Sequence, residues 1–162
     1  MNVKRGSTAF LKVFIFLIGI PILAFCIFLV PKFGNFAGEL YPDIAYMKSL
    51  VLIDMYAAGI PFYFALYQTF KLLSYIDKNQ AFSELSVKAL KKIKYCAITI
   101  STLYLLGMPL YYLMQKKVDP PSIMPIGMII IFASMVIAVF AAVLQRLLQD
   151  AINLKSENDL TV

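Results

Sequence analysis

The sequence contains no histidine and only two cysteines, Cys26 and Cys96. Without histidine there is no imidazole for acid–base catalysis, for haem ligation or for most zinc and iron sites. The apolar runs also lack paired carboxylates, and the sequence shows no pair of a nucleophilic side chain and a general base. We therefore identify no set of catalytic residues. We therefore expect no catalytic residue, no cofactor and no metal site, and we do not expect an enzyme.

Charged residues are scarce as well. They make up 15% of the 162 residues, whereas 61% are hydrophobic and the mean hydropathy is +0.80. An ordinary soluble domain has about 25% charged and about 45–50% apolar residues. A soluble chain of this length could not hide the excess of apolar surface from water. The composition excludes a soluble enzyme, a disordered chain and a disulfide-stapled secreted module, and it predicts an integral membrane protein.

Four apolar runs are each long enough to cross a bilayer as a helix. A hydrocarbon core of about 30 Å needs about 20 helical residues, and these runs are too long and unbroken for barrel strands. The prediction is an all-α integral membrane four-helix bundle, with residues 1–162 as one membrane domain. The loop from Lys116 to Asp119, before Pro120 and Pro121, is so short that spans three and four should be antiparallel neighbours. The spans are expected at about residues 12–31, 49–70, 95–115 and 121–144.

The first span also resembles a secretory signal peptide, because it has a basic start followed by an apolar stretch. Residues 23–26 even look like a lipoprotein cleavage site. Phe25, however, is too large for the residue before the cysteine, and the apolar run is longer than a typical signal core. We expect this span to stay as an anchor, and we expect both cysteines to be packing residues without a disulfide.

The basic residues are distributed unevenly between the connecting segments. With a cytoplasmic N-terminus, eleven lysines and arginines fall on the inner side and four on the outer side. The positive-inside rule therefore predicts a multi-pass protein with both termini, the loop 71–94 and the tail 145–162 in the cytoplasm. The net charge of +6 reflects this sidedness, and no direct nucleic-acid contact is expected.

Asp54 is the one ionisable residue inside an apolar run, which makes it a candidate for an intramembrane polar site. It follows Lys48 by about six residues, or roughly 8 Å along a helix, so we favour a place in the headgroup layer. The alternative is a proton or ligand site. In that case Asp54 and Tyr56 would line an outer-facing site of an immunity-type or small-solute transport protein.

The loop 71–94 reads as a turn followed by an amphipathic helix that begins after Ser83 and runs into span three. The favoured interpretation is a juxtamembrane helix held to anionic lipid at the inner face, with each lysine adding about 1 kcal/mol. The alternative is a docking surface for a cytoplasmic partner. One face of this helix is expected to carry Phe82, Leu85, Ala89 and Ile93, and another Lys88, Lys91 and Lys92.

The tail should continue span four as a helix with an apolar stripe, which must be buried on lipid, on the 83–94 helix or on a partner. Residues 156–162 are expected to form a polar break followed by a short β-prone end. The stripe comprises Leu144, Leu147, Leu148, Ala151, Ile152 and Leu154.

Two segments resemble motifs of a known family. Asn79-Gln80-Ala81-Phe82-Ser83, with the helix up to Ile93, is similar to the loop "G-x-P-F-S/T-x-x-N-x-x-x-L-x-x-I", and residues 154–162 are similar to the ending "L-x-x-E-N/Q-D-L-T-V/I". Both motifs are typical of the YoaS-like family of small four-span bacterial membrane proteins, which is a domain of unknown function. Gln80 and Ala81 depart from the usual Gly and Pro, and Ser86 from the usual Asn. The resemblance implies a bacterial cell membrane and a gene beside that of a small helix-turn-helix repressor, and it implies no activity.

The leading hypothesis is therefore a membrane-bound regulatory protein that binds a small cytoplasmic DNA-binding regulator. An immunity-type or transport protein and a structural subunit of a membrane complex stay open as alternatives, and a homo-oligomer is compatible with all three. The candidate interaction residues are Phe82, Ser83, Lys88, Lys91, Lys92, Glu157, Asn158, Asp159, Leu160 and Thr161.

Overall fold

The structure is a computed structural model that describes residues 2–117 and 122–161, with the backbone alone at residues 2–5 and at Thr161. Over these residues the chain forms four helices, each with a stretch long and apolar enough to cross a membrane. The all-helical fold with four candidate spans is thereby confirmed. The helices are α1 (Asn2–Leu40), α2 (Met47–Asp77), α3 (Glu84–Gln115) and α4 (Ile123–Thr161).

Helix α4 is longer than the sequence led us to expect. It continues through residues 156–161, so the predicted polar break and β-prone end are wrong for the described part of the tail. The physical reason is that no glycine or proline follows Gly127, and nothing else in the run breaks a helix. At 1.5 Å per residue the 39 residues of α4 measure about 58 Å, almost twice the thickness of a hydrocarbon core.

The helices pack in the order of the chain, and the close pairs are α1 with α2, α2 with α3, and α3 with α4. The expected antiparallel pairing of α3 and α4 is confirmed at both ends. The Gln149 side chain donates a hydrogen bond to Glu84, and the Met124 backbone N–H donates to the Gln115 side chain. Residues 118–121, with Asp119, Pro120 and Pro121 of the predicted short loop, lie outside the described residues.

Helix α1 begins and α4 ends at the same end of the molecule, which we call the terminal end. There the Lys12 ammonium lies 2.9 Å from a carboxylate oxygen of Asp77 at the end of α2, and the Thr8 hydroxyl donates to the same carboxylate. At the opposite end, the Tyr41 hydroxyl donates to the backbone oxygen of Leu113, and Lys117 donates to that of Leu40 over 2.6 Å. Polar contacts therefore join the helices at both ends of the molecule.

A well-formed turn joins α2 to α3 at the terminal end. Asn79 takes a left-handed conformation (φ 59°), the Gln80 N–H donates to the Tyr75 oxygen over 2.7 Å, and the Asn79 N–H donates to the Ile76 oxygen over 3.2 Å. These bonds make a Schellman cap, which satisfies the last carbonyls of α2. The Gln80 oxygen also accepts bonds from the hydroxyls of Ser83 (2.6 Å) and Ser86 (3.1 Å). Ser83 thus occupies the expected N-cap position of α3, but its side chain holds the turn instead of capping a helical N–H.

This turn gives a first prediction. Replacing Asn79 by alanine should lower the free energy of unfolding by about 1 kcal/mol, because alanine disfavours the left-handed backbone that the cap requires. Replacing it by glycine, which adopts this conformation freely, should cost less. Unfolding in mixed detergent and SDS micelles measures both, and equal losses for the two variants would contradict the left-handed cap.

Candidate functional site

The C-terminal part of α4 extends past the start of α3. The Gln149 amide donates to the Glu84 carboxylate over 3.0 Å, and Glu84 is the first residue of α3. Residues 150–161, which we call the α4 projection, continue as helix for about 18 Å beyond that contact. From Asn153 to Leu160 every residue of the projection is exposed.

One face of this part of α4 is apolar and uncovered. Leu144, Leu147 and Leu154 are 51%, 60% and 62% exposed, and Ala151 between them is half-buried. We call these four residues the α4 stripe. Their spacing of three, four and three residues places them along one side of a helix, as in helices that fit into a partner's groove. The other tail positions, Leu148 and Ile152, are half-buried, because they continue the α4 face that packs within the molecule.

The family-like ending of the chain lies in the projection. Glu157, Asn158, Asp159 and Leu160 are all exposed, and Leu160 reaches 83%. Thr161 is the last helical residue, and its side chain and Val162 lie outside the described residues. The motif is therefore presented around a helix axis and not along an extended strand.

The predicted loop residues lie at the start of α3. Phe82, Lys88, Lys91 and Lys92 are exposed, and the segment is continuous with the spanning helix, as expected. Of the residues on the predicted apolar face, Phe82 and Leu85 are exposed, Ile93 is half-buried and Ala89 is buried. Helix α3 lies between α2 and α4 and is covered on two sides. The buried positions here are Ser86, Val87, Ala89 and Leu90.

The structure separates the two sets of candidate interaction residues. Glu84 is level with Gln149, Lys88 lies four residues away from that level along α3, and Asp159 lies ten residues away in the opposite direction along α4. At 1.5 Å per residue this amounts to about 20 Å along the helix axes. The lysines of α3 and the ending of α4 thus share one end of the molecule but form no single patch.

Asp54 has a protein partner that could not be found from sequence. The Tyr111 hydroxyl of α3 donates to a carboxylate oxygen of Asp54 over 2.5 Å, and the Tyr104 ring stacks on the Tyr111 ring at 6.3 Å. Gly107 makes room for the carboxylate, since a Cβ there would lie 2.7 Å from the same oxygen. The group ties α2 to α3 and is half-buried in the protein.

Asp54 and Tyr56 do not share a site. The Tyr56 hydroxyl donates to the Cys26 oxygen of α1 over 2.9 Å, whereas Asp54 contacts α3, so the two side chains leave α2 in different directions. The structure therefore does not bring the Asp54 carboxylate and the Tyr56 hydroxyl together. Over the described ranges there is also no group of three or more cysteine or carboxylate side chains that could hold a metal ion.

Comparison with known proteins gives a family and one near relative. A family model described as a protein of unknown function (DUF2975) matches residues 32–162. The chain is 69% identical over 159 residues to the "Uncharacterized membrane protein YoaS" of Bacillus subtilis (strain 168), and the match covers 98% of this chain and 99% of that protein. No solved structure matches the chain. The matched region contains α2 to α4 entire, and with them the start of α3 and the α4 projection.

Proposed function

The chain belongs to the DUF2975 family, whose members are proteins of unknown function, and from its geometry we propose that it is a non-enzymatic regulatory protein of the bacterial cell membrane. In this proposal the α4 projection and the part of the α4 stripe that follows the apolar run, Leu147 to Leu154, bind a small cytoplasmic DNA-binding regulator of the helix-turn-helix type. One observation carries the proposal: α4 stays helical to Thr161 while its stripe is uncovered.

The placement of the terminal end in the cytoplasm rests on charge. Eleven of the fifteen basic residues lie in segments at this end, and the positive-inside rule assigns such segments to the cytoplasm. The contacts of Asp77 with α1 and of Glu84 with α4 gather these segments at one end, as an even number of crossings requires. Both termini are then cytoplasmic.

The lysines of α3 suit the membrane surface better than a distant partner. The apolar run of α4 ends at Leu144, and Lys88 lies near the level of Gln145 on the neighbouring helix. Lys88 then lies at the level of the lipid headgroups, and Lys91 and Lys92, which begin about 5–6 Å deeper, reach that level with their long side chains. Each contributes about 1 kcal/mol of attraction to anionic lipid. We therefore assign these lysines to the lipid, and the projection to the protein partner.

The projection suits a helical, basic partner. Burying each leucine of the stripe in a groove contributes about 1.5–3 kcal/mol, and a helix that is already formed loses little entropy on binding. Beyond Lys155 the tail has two acidic residues, Glu157 and Asp159, and no basic one. DNA-binding proteins carry basic surfaces, so this ending complements the charge of such a regulator.

Co-purification tests the proposed function. We expect the full chain in detergent to retain the proposed small helix-turn-helix regulator, and a chain stopped after Asp150 to lose it, because the truncation removes the projection. A Lys88→Gln, Lys91→Gln, Lys92→Gln variant is the control, and it should retain the regulator while losing affinity for anionic vesicles. Equal recovery by the full and the truncated chain, or recovery by neither, would contradict the proposal.

A further inference from the structure

A cleft runs between α1 and α4. Because the helices pack in chain order, α1 and α4 form its walls, and α2 and α3 form its floor. Its first part, of about 540 Å³, is lined by Lys32 and Phe33 of α1 and by Tyr111, Ile123 and Ile126 of the other helices. Its second part, of about 480 Å³, continues toward the terminal end. The two parts share the lining residues Phe25, Met55, Tyr104 and Ile130.

The cleft has the length and the lining of a site for a hydrocarbon chain. On α4 it extends from Ile123 to Ile137, a rise of about 21 Å, and one leaflet of a bilayer is about 15 Å thick. Its walls are almost wholly apolar, and it is neither a closed cavity nor a flat surface. An acyl chain can therefore enter it from the surrounding bilayer without exposing itself to water.

Lys32 gives the cleft a cationic end. It lines the first part, beside Ile123, and not the second. Among the side chains that the structure describes, none forms an ion pair, a hydrogen bond or a cation–π contact with it. Lys116 and Lys117, which lie near the C-terminal end of α1 and do not line the cleft, are engaged, since their ammonium groups lie 4.7 Å from the Tyr112 ring and 4.0 Å from the Tyr41 ring.

We propose that this cleft is a binding site for one acyl chain of an anionic phospholipid whose phosphate contacts the Lys32 ammonium. The lipid belongs to the leaflet that surrounds the C-terminal half of α1. The charge of Lys32 complements the phosphate, and the apolar walls of the cleft complement the chain. The site is independent of the docking of a regulator at the terminal end.

Native mass spectrometry of the full chain in detergent, with phosphatidylglycerol or phosphatidylcholine added, tests the site. We expect one phosphatidylglycerol per chain, bound more tightly than phosphatidylcholine. Lys32→Gln should weaken phosphatidylglycerol binding about fivefold, the loss expected for one lysine beside an anionic headgroup. Lys48→Gln, at a lysine that does not line the cleft, should leave it unchanged.

A second pair of variants tests the chain-binding part. Ile130→Trp should fill the section that the two parts share and abolish the bound lipid, whereas Phe132→Trp, on the exposed side of α4, should keep it. Equal binding by the two lysine variants, equal affinity for both lipids, or a second copy of the chain in place of lipid would overturn the proposal. If circular dichroism shows that Ile130→Trp has lost its helical fold, the comparison of Lys32→Gln with Lys48→Gln tests the proposal by itself.

Discussion

Replacing Leu147 and Leu154 together by glutamate is expected to weaken the binding of the regulator by about two to four orders of magnitude. Each leucine contributes about 1.5–3 kcal/mol when it is buried in a groove, and every 1.4 kcal/mol is a factor of ten in affinity. Both side chains are more than half exposed in the free protein, so the substitutions should leave the four-helix fold intact. Titration of the detergent-solubilised chain with the purified regulator measures the loss.

The control for this pair adds the same charge elsewhere on the projection. Asn153→Glu with Ser156→Glu also introduces two carboxylates, but at exposed positions outside the stripe. We expect this pair to change affinity only slightly, and chiefly through the salt-dependent association rate. An equal loss in both pairs would mean that the added charge and not the stripe governs binding. No loss in the leucine pair would exclude the stripe as the docking surface.

Gly107→Ala is expected to destabilise the protein by about 3 kcal/mol. In an open helical position alanine is more favourable than glycine by about 1 kcal/mol. At Gly107 the new Cβ would lie 2.7 Å from the Asp54 carboxylate oxygen and 3.0 Å from the Tyr111 ring. Overpacking typically costs 1–3 kcal/mol, and displacing the carboxylate breaks a charge-assisted hydrogen bond worth about 1.5–3 kcal/mol.

Unfolding in mixed detergent and SDS micelles measures this loss. Gly6→Ala is the matched control, because no atom lies within 4 Å of the new Cβ, and it should not destabilise. A double-mutant cycle with Asp54→Ala isolates the contact: without the carboxylate, Gly107→Ala should cost at least 1 kcal/mol less. If Gly107→Ala is as stable as Gly6→Ala, Gly107 does not seat the Asp54 carboxylate and the account of this contact fails.

The four helices could be predicted because run length alone determines whether a segment can cross a membrane. Their ends could not. Helix α1 begins at Asn2 and α4 reaches Thr161, ten or more residues beyond the predicted spans, because a helix continues into water where no residue stops it. The polar side chains of residues 156–161 predict a break in the helix, but polarity alone does not end a helix.

The sequence could not predict which side chains of different helices contact one another. Asp54 was recognised as the exceptional residue, but Tyr111, its hydrogen-bond partner, lies 57 residues away and belongs to a run of ordinary appearance. The burial of Ser86 could not be predicted from periodicity, because periodicity assumes one buried side, whereas α3 has two neighbours. The cleft between α1 and α4 depends on the order in which the helices pack, and that order cannot be predicted from the hydropathy of the sequence.

Photo-crosslinking in living cells can show whether the α4 stripe contacts a regulator. A benzophenone side chain placed at position 154 lies on the α4 stripe, and one placed at Ile53 lies on an exposed apolar face of the spanning part of α2. We expect a covalent adduct between position 154 and the proposed small helix-turn-helix regulator, and no such adduct from position 53. Adducts of position 154 with lipid or with other copies of this chain alone would contradict it.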